Sequence, residues 1–264
     1  MTPATMPVAD RPDIDQRTGL GDALWFEWIK FTTLRSNLAL AGVLGLVLPL
    51  LAVVVAATGS LQPDDTILGA SVLGGAVLAQ ILAAALGSTS VTGEIRSGML
   101  RTTLVACPRH LTVLAAKAIV TAGVVAAVLL PSTLLAFGIG TAMLDSSYAT
   151  GEPFPAVVGV ALAIASMGVL GVAIGSLVRN AAGAVMVGVA VVLLPTMVAP
   201  MLGDHERWLG GASLGGVMQK LTQSSDATHA TVGSLGAWPS LGVVAAYTIA
   251  AVALAVWRLR RRDS

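Results

Sequence analysis

The chain is poor in charge, in aromatics and in cysteine, and each shortage closes off a class of protein. Of its 264 residues, 11% are Asp, Glu, Lys or Arg, 4% are aromatic and 55% are hydrophobic, at a mean hydropathy of +0.84. A soluble domain carries about 25% charged residues; this chain has too little polar surface to cover a water-soluble globule. Its single cysteine, Cys107, excludes an internal disulfide and a thiolate metal site that needs a second Cys. Lysine is almost as scarce. Lys30, Lys117 and Lys220 follow Ile29, Ala116 and Gln219, so none completes the Gly-x4-Gly-Lys-Ser/Thr loop that cradles nucleotide phosphates. The first 21 residues, rich in Pro, Asp, Thr and Arg, contain no apolar stretch of the kind a signal peptide needs, and residues 1–21 read as a disordered cytoplasmic tail.

What the chain does have is long apolar runs. Six of them, at about 38–58, 67–91, 113–143, 156–178, 182–202 and 239–257, each approach the ~20 residues that cross ~30 Å of hydrocarbon. No acidic residue falls inside any of these runs. A charge at mid-bilayer costs roughly 2.5–3.5 kcal/mol on insertion scales, and those that persist usually mark ion pathways. This disfavours a carrier driven by ions bound to its own carboxylates. Lys117, in the first turns of the third run, is expected to snorkel its ammonium to water. Gln80, the one long polar side chain well inside a run, is expected to make a helix–helix hydrogen bond.

Orientation follows from the basic residues. Six spans put both termini on one side. That side takes Arg11, Arg17, Lys30, Arg35, Arg96, Arg101, Arg109, Lys117, Arg179, Arg258, Arg260, Arg261 and Arg262, all but Arg207 and Lys220 of the 15 Lys and Arg. Lys and Arg mark cytoplasmic loops, so both termini are read as inside. The basic tail suits an anionic leaflet and not nucleic acid.

Several shorter features stand out. Asp22 is a plausible cap for a helix in which Leu24, Trp25, Trp28, Phe31 and Leu34 recur at helical spacing, with Glu27 and Lys30 on another face. Residues 22–36 therefore read as an amphipathic helix lying in the headgroup plane. Pro49, Pro131, Pro195 and Pro200 fall inside spans and remove backbone donors there. Gly171 and Gly175, or Ala184 and Gly188, have the small-residue spacing of close helix packing, which a chain so rich in Gly and Ala also produces by chance. Between the second and third spans, Glu94 and Gly98 share a helical face, as do Ile95 and Met99, while Gly98 and Pro108 divide the piece into short segments. Such a loop suits either partner docking or plain solvation. The external 203–238 loop contains Leu209 to Leu221, a candidate re-entrant or interfacial helix. It also contains Gly211-Ala-Ser213-Leu-Gly215, the pattern of a nucleophile elbow, which has meaning on a strand-to-helix turn with a placed His and acid. His205, His229, Asp204 and Asp226 share that loop, so a hydrolase using Ser213 is the alternative reading. His205-Glu206 is followed by Leu209, leaving the His-Glu-x-x-His zinc motif incomplete.

The run Glu94-Ile-Arg-Ser-Gly-Met-Leu-Arg-Thr-Thr-Leu, with Pro108-Arg109 and Leu114-Ala-Ala-Lys117 after it, resembles the first cytoplasmic loop of ABC-2-type transporter permeases of the actinobacterial kind. Ile95 stands where that family has an aromatic, and Met99 where it often has Thr. The similarity runs along nearly the whole chain, through Glu27 to Lys30, Gly175-Ser-Leu-Val-Arg-Asn180, Trp238-Pro and Arg262-Asp263. The resemblance implies an all-α membrane protein: the interfacial helix at 22–36, a six-span domain at 37–258 and a basic cytoplasmic tail at 259–264. It implies a plasma-membrane permease subunit that exports a hydrophobic or amphipathic substrate, not itself an enzyme. Expected partners are a second permease subunit, identical or related, and a cytoplasmic ATPase subunit. ATP and Mg would be bound by that ATPase, with no cofactor or metal on this chain. By matching position, Glu94, Arg96, Gly98, Arg101 and Thr102, with Glu27 and Lys30 of the preceding helix, become the residues that couple to the ATPase. The external loop would close the outer end of the pathway.

Overall fold

The protein is an all-helical membrane protein, and its computed structural model describes residues 19–59, 64–98 and 110–261. A short helix α1 (Leu20–Thr33) precedes six helices long and apolar enough to cross a membrane. These are α2 (Arg35–Thr58), α3 (Ile67–Ser97), α4 (His110–Met143), α5 (Pro153–Val178), α6 (Ala181–Val198) and α10 (Ala237–Arg260). Between α6 and α10 the chain forms a 3-10 segment (Ala199–His205) and three short helices, α7 (Glu206–Ala212), α8 (Leu214–Leu221) and α9 (His229–Val232). The expected interfacial helix at 209–221 is thus a pair, broken at Ser213.

Glycine sets which spans form the centre. A Cβ on Gly87 would stand 2.0 Å from the Gly168 carbonyl oxygen, one on Gly171 2.3 Å from that of Ala84, and one on Gly175 2.8 Å from that of Ser88. The α3 and α5 backbones therefore touch along two turns, a separation that no side chain would permit. In lipid, where apolar surface gains little by leaving the solvent, such backbone contact and its dispersion energy hold helices together. The Gly171–Gly175 spacing is the seam itself. Gly188 of α6 joins it, since its Cβ would lie 3.1 Å from that of Ala84. Around the seam Leu68, Leu86, Val160 and Ile164 are fully buried, as are Leu44 and Leu48 from α2 and Val125 and Leu129 from α4. Gln80 is buried among them, 1% exposed.

Pro49 deprives α2 of the N–H that would bond the Gly45 carbonyl, a loss hydrocarbon cannot make good. Ser132 of α4, just after Pro131, donates its hydroxyl to that oxygen at 2.7 Å. The break in one helix thereby becomes a bond to the next.

Two of the described connections end in side-chain caps. Arg179, at φ +61°, ends α5, and the Asn180 side chain accepts from Gly183 N–H at 3.2 Å to start α6. At the other end of the bundle, Thr66 caps α3 by accepting from Gly69 N–H and donates its hydroxyl to the Thr222 carbonyl. Ile67 N–H donates to the Ala149 carbonyl at 2.9 Å, and Ser225 donates to Asp65 at 2.7 Å. Helix α3 runs to Ser97, six residues beyond the expected end of its span. It stops where Gly98, at φ +74°, takes the left-handed conformation that glycine adopts without penalty.

Candidate functional site

At the end of the bundle opposite the Thr66 contacts, α1 lies against α4 and α3 through four charged side chains. Lys117 Nζ of α4 donates to Glu27 Oε2 of α1 at 2.6 Å and to Glu94 Oε1 of α3 at 2.8 Å. Lys30 Nζ of α1 is 2.6 Å from Glu27 Oε1 and 2.5 Å from the same Glu94 Oε1. It also sits 4.6 Å from the centre of the Phe26 ring. Glu27, Glu94 and Lys117 are 5%, 9% and 4% exposed. Two acids and two bases leave the cluster neutral, the condition under which buried charge is tolerable. Glu94 carries the asymmetry. Its Oε1 accepts from both lysines, while its Oε2, also buried, has no hydrogen-bond partner.

Two expectations are corrected here. Lys117 does not snorkel to water; α1 brings Glu27 onto it, and paired carboxylates solvate the ammonium inside the protein. Nor are the apolar helices free of buried carboxylate, because α3 continues through Glu94 instead of ending at 91. Burial also fails to divide α1 into an apolar and a polar face. Glu27 and Phe31 both turn inward, whereas Asp22, Trp25, Phe26 and Trp28 are all exposed.

Of the seven residues named as a coupling set, Glu27, Lys30 and Glu94 meet in this cluster. Arg96 and Gly98 are exposed at the end of α3, adjacent to the cluster in sequence. Arg101 and Thr102 lie outside the described residues, as do Met99, Cys107, Pro108 and Arg109. Lys117 was not in the set, yet it joins all three elements. Its signal in the sequence was a base in an otherwise uncharged stretch, with as many acids as bases among Glu27, Lys30, Glu94 and Lys117.

The opposite end of the molecule accounts for the Gly-x-Ser-x-Gly pattern. Ser213 lies between two helices, not on a strand-to-helix turn. Its hydroxyl donates to the Gly210 carbonyl at 2.7 Å and accepts from Gly216 N–H at 3.0 Å, which caps α8. A Cβ on Gly211 would come within 2.4 Å of the Val232 carbonyl oxygen, and one on Gly216 within 2.0 Å of that of Gly210. The glycines therefore serve the packing of α7, α8 and α9. Lys220 of α8 donates to Ser240 of α10 at 2.9 Å, and burial holds its ammonium below the ordinary lysine range. A cavity of about 370 Å³ lies beside α7 and α8, with Glu206, Gln219 and Asp226 in its wall. Among the described residues no three His, Cys, Asp or Glu side chains stand close enough to hold a metal ion. Compared with known proteins, the chain matches no family model, and no curated protein is similar to it.

Proposed function

We propose that this chain is the membrane subunit of an ATP-binding-cassette transporter, working as one of two permease subunits and driven by a separate cytoplasmic ATPase. The cluster of Glu27, Lys30, Glu94 and Lys117 is the observation that carries this reading. It ties α1, which lies outside the six spans, to the ends of α3 and α4 through ion pairs screened from water. A push on α1 or on the segment after Gly98 is thereby transmitted to two spans at once, one of which forms the central seam with α5. The bias of Lys and Arg toward this end supports a cytoplasmic placement for it, and for both termini. Arg96, exposed beside the cluster, is the described residue best placed to touch the ATPase. The absence of a P-loop lysine in the sequence agrees with ATP being held elsewhere. Export of a hydrophobic or amphipathic substrate across the plasma membrane completes the reading.

The test is a pull-down of the tagged chain from its native host in a mild detergent or nanodiscs, assayed for a co-purifying P-loop ATPase. A stoichiometric ATPase is expected. Arg96→Glu together with Arg101→Glu should release it while the chain stays inserted and monodisperse. A chain that purifies alone under several gentle conditions would overturn the assignment.

A further inference from the structure

The cavity of about 370 Å³ beside α7 and α8 has the volume of a small-molecule site, a range that starts near ~300 Å³. Pro195, Ala199, Pro200 and Val232 give its wall an apolar part. The hydroxyls in the wall are committed to the protein. Ser213 caps α8, Thr196 donates to the Leu193 carbonyl, Ser225 donates to Asp65, and Thr228 and Thr231 bond one another. Glu206, Gln219 and Asp226 differ. Among the described residues, their side chains make no hydrogen bond and no ion pair.

Charge and hydrogen-bonding capacity together select the ligand. Two carboxylates stand in the wall and no Lys or Arg does, so an anion is repelled and a cation drawn in. The Lys and Arg of this end are engaged elsewhere, Lys220 on Ser240 and Arg207 over the Trp208 ring. A bare metal ion is a poor fit, because among the described residues no three His, Cys, Asp or Glu side chains stand close enough to hold one. No aromatic ring lines the cavity, so a quaternary ammonium would find no cage of ring faces. A primary ammonium brings three N–H donors, and Glu206, Asp226 and the Gln219 amide oxygen are acceptors without a donor. Bonds from an ammonium to a carboxylate are roughly twice as strong as neutral ones. The proline and valine part of the wall suits an apolar body on the same ligand.

We infer that this cavity is a binding site for a compact primary amine with an apolar body, its ammonium held by Glu206 and Asp226. This stands whether or not an ATPase partner exists. The probe is tritiated 2-phenylethylamine, with its N,N,N-trimethyl analogue and 2-phenylethanol as competitors that lack the N–H donors or the charge. Binding to the full chain in nanodiscs is counted above that to empty nanodiscs of the same lipid. Saturable binding is expected, and both competitors should displace the amine at least about tenfold more weakly, the discrimination expected for losing one charge-assisted hydrogen bond. Glu206→Gln and Asp226→Asn break no bond within the described protein, and each should weaken binding by about tenfold. Glu152→Gln removes an exposed acid that is not in the wall and should change nothing. Binding that does not saturate, or equal displacement by the trimethyl analogue, would overturn the inference. So would a Glu206→Gln, Asp226→Asn double variant that binds as the wild type does, or an equal loss in Glu152→Gln, which would show attraction by bulk charge and no site.

Discussion

Lys117→Met tests whether the charged cluster holds α1 to the bundle. At an effective dielectric of about 20, each ammonium–carboxylate contact of this length carries roughly 6 kcal/mol of attraction. Lys117 makes two, against a desolvation cost of several kcal/mol for its buried ammonium. Methionine matches the length of the stem but leaves Glu27 and Glu94 sharing Lys30 alone, with one uncompensated negative charge out of water. Removing one partner of a buried pair typically costs about 3–5 kcal/mol, and the variant should lose stability of that order. Because only Phe31 accompanies Glu27 among the fully inward residues of α1, the loss should be local at first. Amide exchange across 20–33 should accelerate while the α3–α5 seam stays protected, and thermal unfolding in detergent should begin at a lower temperature. Glu27→Gln in the same chain restores neutrality, so the double variant should recover about 1–3 kcal/mol relative to the sum of the singles. A Lys117→Met change smaller than about 0.5 kcal/mol, the range of an ordinary surface substitution, would refute the reasoning. So would strict additivity with Glu27→Gln.

The backbone seam, the shared proline repair and the Ser213 cap give three further expectations. Gly87→Ala puts a methyl 2.0 Å from a carbonyl oxygen and should destabilise the protein by about 1–3 kcal/mol or more. Gly42→Ala, with no atom within 4 Å, should be near neutral in the same melting assay. Ser132→Ala leaves the Gly45 carbonyl without a donor, at about 1–3 kcal/mol. Adding Pro49→Ala restores the α2 N–H and should rescue it, and failure of the rescue would show that Ser132 acts some other way. Ser213→Ala should cost about 0.5–2 kcal/mol as a lost helix cap, measured by unfolding, and under the proposed function should leave ATPase co-purification per folded molecule unchanged. Loss of an activity that needs no ATPase would instead establish the hydrolase alternative.

How far the sequence could be read depended on whether each feature is local to the chain. Six apolar runs and their flanking basic residues are local, and the helices of the structure fall on those runs. The end of α3 illustrates the limit. An apolar count stops at 91, but the helix stops at Gly98, because backbone conformation and not hydropathy ends a helix whose polar residues find partners. Lys117 shows the same limit from the other side. Read alone, a lysine near a span end belongs in water; its true solvent is a pair of carboxylates 90 and 23 positions away along the chain. Ser132 and Gly45 are separated by 87 positions, and nothing in either segment names the other. The small-residue spacings were visible but uninformative until the fold chose Gly171 and Gly175 from many equivalents. What the sequence did contain was a constraint. In a chain with so little charge, Glu27, Lys30, Glu94 and Lys117 offset one another near the α1 end. Charge scarcity, which excluded a soluble fold, also limits which residues can meet. The four charges cancel, yet Glu94 Oε2 is left as a buried side-chain oxygen without a hydrogen-bond partner among the described residues, so the balance of charge does not by itself satisfy every hydrogen bond.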